Sequence, residues 1–227
     1  VHGHVEGMQN LTIGRDATLE IYPTASTTIG QKNDFKLNVV NVNANGRLNL
    51  QGSKVTSKRF TIGEPDPGVG DISRLTAYGK VEFVTDFLQV YENGKIDGNA
   101  KGYEKEKGPG RGLRSPTHTS HWCGGSHGGR GGRAVEKRGD LSMGYDDFRN
   151  PIEPGSGGGA SNGGAGGSAI VMNVNEEMIL DGVIDVNGGN TNTNYAGAGA
   201  GGTVYLRTNM TLTCSKNTNI APKQELI

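Results

Sequence analysis

The stretch HTSHWCGGSH places His118, His121, Cys123 and His127 within ten residues. Imidazole and thiolate are ligands for zinc and copper. Metal binding by His118, His121 and His127, with Cys123 as a fourth ligand, is therefore one expectation. The spacing His-x2-His-x-Cys-x3-His is not that of a zinc finger. The plainer reading is a surface loop in which Trp122 covers a core edge and Cys123 is oxidised. Cys123 and Cys214 are the only cysteines, and a disulfide between them would close a long loop. Oxidised Cys123 could not ligate, so the two readings compete.

A second group is YDDFRNP from Tyr145, with Asp146 and Asp147 adjacent. Paired carboxylates can do acid–base work on a sugar. Neighbours in a strand point to opposite faces, however, and the plainer expectation is a surface loop held by Arg130 or Arg133. Tyr103, Trp122, Tyr145 and Phe148, with Arg149, are the candidate contacts for a glycan. Asp97, Asp181, Asp185, Asn187 and Asn190 offer hard oxygens to calcium, although the repeat signature of calcium-binding solenoids is absent. Lys101, Lys105, Lys107, Arg111 and Arg114 can meet an anionic glycan or a mineral surface. No phosphate-binding loop precedes a helix, and no Ser-His-Asp or Cys-His arrangement stands out. No cofactor is demanded; calcium and zinc are the ions these side chains could take.

The elements that must position these residues are strands. Lys+Arg and Asp+Glu number 23 each, which argues against non-specific nucleic-acid binding and removes charge as a barrier to self-association. No apolar run is long enough to span a membrane. Leu19 and Ile21, Leu48 and Leu50, and Val81 and Phe83 are spaced by two, the period of a strand with one buried face. NANG and YENG supply tight turns between strands. Farther on, GAGGSAIVMNV from Gly164 and GAGGTVYLRTN from Gly199 repeat at an interval of 35 residues. A repeat of that size with short strands predicts an all-β right-handed parallel β-helix, a β-solenoid with Gly-rich corners. Residues 1–101 would be regular coils, 102–154 a long loop insertion and 155–227 Gly-rich coils of one domain. An irregular sandwich or jelly roll, or a disordered Gly-rich segment beside a small β domain, are the alternatives.

Glycine accounts for 39 of 227 residues, and GGSHGGRGG from Gly124 is the densest tract. Glycine suits corners because it reaches positive φ and lets backbones approach closely. The order GGSHGGRGG, YDDFRNPIEPGSGGG, GGSAIVMNVNEEMILDGVIDVNGG resembles a Gly-rich, pectin-lyase-like β-helical repeat of large extracellular surface or matrix proteins. The resemblance covers residues 94–212 and implies adhesion, coat or matrix work rather than catalysis.

The sequons at Asn10 and Asn209 fit a secreted glycoprotein, and the start at Val1 reads as a mature product or a fragment. The expected function is that of a non-catalytic extracellular scaffold acting by self-assembly or adhesion, with itself, other matrix proteins, glycans or a mineral surface as partners. A carbohydrate-binding module, and after it a polysaccharide lyase or hydrolase, are the competing expectations.

Overall fold

The computed structural model describes residues 8–21, 33–115, 120–132, 142–191, 193–209, 211–214 and 219–221. The chain divides into two compact units. The first comprises residues 1–97, 171–185 and 206–220, and the second 98–170, 186–205 and 221–227.

The first unit is built on two parallel sheets. The eight-stranded sheet runs β1 (Asn10–Ile13), β4 (Val39–Val42), β6 (Ser53–Ile62), β8 (Lys80–Val90), β10 (Ala169–Leu180) and β12 (Thr203–Thr208). Two further strands join it, β3 (Asn33–Lys36) on β6 and β13 (Thr211–Cys214) on β10. The six-stranded sheet runs β14 (Asn219–Ala221), β11 (Val183–Asp185), β9 (Gly94–Asp97), β7 (Ser73–Tyr78), β5 (Arg47–Gln51) and β2 (Thr18–Ile21). Strands of the two sheets alternate along much of the chain, which supplies the crossover that parallel pairing requires.

Register stacks like residues across the strands. Val40, Phe60 and Leu88 form one buried row, and Val42, Ile62 and Val90 the next. Leu48, Leu75, Ile96 and Ile184 form a row in the other sheet. Phe60 and Phe83 meet edge to face at 5.1 Å. The spacing by two seen in the sequence is thus the buried face of these strands.

The chain does not form the expected right-handed β-helix. The strands form two parallel sheets that are not closed or curled into a solenoid. Alternation by two and short turns serve a pair of open sheets as well as a coil, so the sequence pattern did not separate them. The Gly-rich half gives the second reason. Among the described residues from Gly98 to Ser168 there is no strand, only an isolated antiparallel bridge between Arg114 and Trp122.

The second unit replaces ladders with glycine-rich segments that bond to one another at a step of three. Gly155 and Gly158 donate to Gly167 and Gly164; Gly164 and Gly167 donate to Gly197 and Ala200. Gly199 and Gly202 donate to Gly189 and Val186, and Cys123 and Ser126 to Leu113 and Gly110. A β-ladder would repeat every two residues; three residues per turn is the period of polyproline II. Successive N–H groups of one segment therefore reach different neighbours. Gly166 donates to Tyr103 and Gly167 to Ala200.

Glycine is needed here for close approach and not for positive φ. None of the glycines with φ in the left-handed region lies in 124–132 or 155–167. A Cβ on Gly158 would stand 1.9 Å from the carbonyl oxygen of Gly197. In the tract that opens at Gly124, Gly125 and Gly131 are packed in this way, a Cβ there standing 2.3 and 2.4 Å from backbone oxygens, while Gly129 is open; collagen likewise admits only glycine at its crowded axis.

Candidate functional site

The second unit holds one buried cluster of ionisable side chains. His127 is carried by the glycine segment, where its own carbonyl accepts from the Tyr145 amide at 2.7 Å. Its ring is 5% exposed. Nδ1 lies 3.0 Å from the Gly201 carbonyl oxygen, and Nε2 lies 3.2 Å from Oδ2 of Asp146. A neutral imidazole has one N–H and can serve only one of these acceptors; the protonated ring serves both.

Asp146 gathers the following loop around its carboxylate. It accepts the amides of Asp147 at 2.9 Å, Ile152 at 3.1 Å and Glu153 at 3.0 Å. Burial alone would raise its pKa. The three backbone N–H groups and His127 outweigh burial, so the carboxyl sits below its ordinary value. The backbone at Asp146 has φ 77°, a left-handed conformation that a non-glycine residue adopts only where its surroundings fix it.

Tyr145 and Tyr103 flank the same clamp. The Tyr145 hydroxyl donates to the Pro154 carbonyl and receives from Ser156 Oγ at 2.8 Å, and Ser156 Oγ accepts the Gly110 amide at 2.9 Å. The His127 and Tyr145 rings lie 5.0 Å apart. Tyr103 donates to Glu153 at 3.3 Å. Burial pushes both phenols above their usual pKa; for Tyr103 the Glu153 carboxylate adds to it.

What this clamp displays is Phe148, 85% exposed, with the Arg149 guanidinium 5.1 Å from its ring centroid. The Arg149 amide is fixed by the Asp147 carboxylate at 2.9 Å. Val69 and Met143 are exposed as well; Phe148 differs in being an aromatic paired with a cation on a loop held by buried hydrogen bonds.

The cluster does not have the layout of a nucleophile, base and orienting acid. Thr203 Oγ1 lies 3.5 Å from His127 Nε2, but that nitrogen already faces Asp146, and Thr203 donates to the Glu153 carbonyl at 2.9 Å. In a working triad the two ring nitrogens face different partners, one the carboxylate and the other the nucleophile.

His118 and Arg133 lie outside the described residues. His121 stands edge-on to Tyr195 at 4.9 Å, and His127 spends both nitrogens on oxygen partners. Among the described residues no three His, Cys, Asp or Glu side chains could hold a metal ion. Cys123 is buried and free, and the side chain of Cys214, its expected disulfide partner, lies outside the described residues. Arg130 does not hold the Asp146–Asp147 pair; its guanidinium lies 3.0 Å from the Met143 sulfur, and His127 takes its place.

Of the calcium candidates, Asp97 and Asp185 share Lys95, at 3.9 and 3.5 Å, on the outer face of the six-stranded sheet. Asp181 bonds Val90 and Asn187 bonds Ala100 through the backbone, while Asn190 is exposed. In the basic stretch, Lys105 reaches the Ser161 carbonyl at 2.6 Å. Of the glycan candidates, Tyr145 and Tyr103 are bonded inward, Arg114 lies 5.9 Å from the centroid of the half-buried Trp122 ring, and Phe148 and Arg149 face outward. Asn10 and Asn209 are both exposed.

No protein-family model, curated protein or solved structure matches the chain. The geometry of the site therefore carries the functional argument alone.

Proposed function

We propose that this chain is a non-catalytic structural protein of an extracellular matrix, coat or fibre, working by self-assembly or adhesion. The observation that supports it most is the use to which the buried cluster is put. His127, Asp146, Thr203 and Tyr145 direct their polar atoms at backbone and at one another, and the product is a fixed loop that presents Phe148 and Arg149. Preorganised contact residues of this kind lower the entropy lost on association. The close-packed glycine segments give that loop a stiff base.

The test is the mass of the purified chain across a concentration series, by size exclusion with light scattering and negative-stain images. Growth into regular oligomers or fibres supports the reading. A monomer at every concentration that also binds no matrix surface would contradict it. A carbohydrate-binding role draws on the same exposed Phe148 and Arg149, and a glycan array with binding abolished by Phe148→Ala would favour it instead.

A further inference from the structure

The first unit contains a cleft of about 300 Å³ at the ends of both sheets, where β1 and β2 are the edge strands. Its lining includes Leu11, Leu19, Ile21, Phe35 and Leu37, all half-buried. Glu20 and Asp34 stand at its exposed rim together with Lys36. Among the described residues Asp34 has no ion-pair partner, and Glu20 accepts from Asn49 alone, at 3.0 Å. The rim is therefore acidic on balance, and its interior is apolar with room for an aromatic side chain.

The clamped loop is its complement. Phe148 is apolar and 85% exposed, and the guanidinium of Arg149 beside it has no carboxylate partner among the described residues. We propose that this cleft receives Phe148 of a second copy of the chain, with Arg149 of that copy paired to Glu20 and Asp34. This deepens the self-assembly reading and rests on it. Knob and cleft are different surfaces, so the contact is head-to-tail. A head-to-tail contact that does not close on itself adds copies without limit. Aromatic and arginine anchors are the residue types that dominate such interfaces. The zero net charge of the chain leaves no general repulsion between copies.

The experiment uses the full chain and light scattering at a concentration where the unmodified protein has assembled. Phe148→Ala and Arg149→Glu should each leave monomer, as should the double variant Glu20→Lys/Asp34→Lys, with melting curves unchanged for the two loop variants. An equimolar mixture of Phe148→Ala with Glu20→Lys/Asp34→Lys should give one dimer and nothing larger, because each copy then keeps one working surface. Combining Arg149→Glu with Glu20→Lys/Asp34→Lys in one chain should restore growth.

Assembly of Phe148→Ala and Arg149→Glu like the unmodified protein overturns the contact while leaving self-assembly standing. Loss of assembly in the cleft variant alone also overturns it and means that another segment of the neighbouring copy fills the cleft. An unmodified chain that stays monomeric overturns the contact and self-assembly together.

Discussion

Nε2 of His127 lies 3.2 Å from Oδ2 of Asp146, with both side chains under a tenth exposed. The two residues are 19 positions apart in the chain. Their pairing ties the segment after Tyr145 to the glycine segment that carries His127. Removing Asp146 leaves His127 Nε2 and three backbone amides without their acceptor, whereas removing His127 leaves Asp146 with its three amides alone.

Asp146→Ala should therefore destabilise the second unit by about 1–3 kcal/mol, the usual cost of leaving buried donors without their acceptor. Three amides, of Asp147, Ile152 and Glu153, would lose their acceptor at once. Urea unfolding followed by circular dichroism measures this. A loss below about 0.5 kcal/mol, typical of an unconstrained surface site, would mean that the loop does not depend on Asp146.

The same carboxylate sets a pH dependence. Its pKa is lower in the folded protein than in the unfolded chain, so its contribution is complete above the ordinary Asp value of about 4. It is lost as pH falls through the lowered folded value, because the unfolded state then binds the proton first. The stability gap between the unmodified protein and Asp146→Asn should narrow progressively below about pH 4. A gap that stays constant from pH 6 to pH 2 would place the cause elsewhere. At the alkaline end the phenols of Tyr145 and Tyr103 work the other way. Their raised pKa values keep them neutral in the fold while unfolded tyrosines ionise near pH 10, so stability should fall above that pH.

Gly158→Ala should cost more than a glycine replacement on an open turn. Its Cβ would meet the Gly197 carbonyl at 1.9 Å, whereas Gly129 has nothing within 4 Å. Overpacking costs about 1–3 kcal/mol where neighbours can shift, and here the neighbour is hydrogen-bonded backbone. Thermal melts of Gly158→Ala and Gly129→Ala should differ clearly, with Gly129→Ala close to the unmodified protein. Equal melts would contradict the packed-backbone account.

Calcium should leave the melting temperature unchanged. Lys95 lies between Asp97 and Asp185 and occupies the space a cation would need. A rise with millimolar calcium, reversed by chelator, would show that another oxygen cluster binds it.

The strand half of the molecule was largely legible in the sequence. Leu48 and Leu50 alternate because one face of β5 is buried, and that signal is local. Which sheet arrangement the strands adopt was not legible, because open sheets and coils use the same alternation. The glycine half misled for a physical reason. GSGGGASNGGAGG from Gly155 suits positive-φ corners and crowded segments equally, and only the step-of-three bonding separates them. Asn45 in NANG does take φ 56°, while Gly94 in YENG serves close approach, with a Cβ there 2.5 Å from the Ile62 oxygen. The partner of Asp146 carried no sequence signal, since an arginine looked as suitable as His127. Phe148 was visible as an aromatic beside Arg149, but its exposure was not.

The most direct measurement of the clamp is amide hydrogen exchange, residue by residue, in the unmodified protein and in His127→Ala. The account predicts that the amides of Asp147, Ile152 and Glu153 are protected in the unmodified chain. They should exchange at least ten-fold faster in the variant, while those of Phe60 and Leu88 in the first unit keep their protection. Unchanged exchange at Asp147, Ile152 and Glu153 in His127→Ala would contradict it, and the His127–Asp146 pair would then be free for some other task.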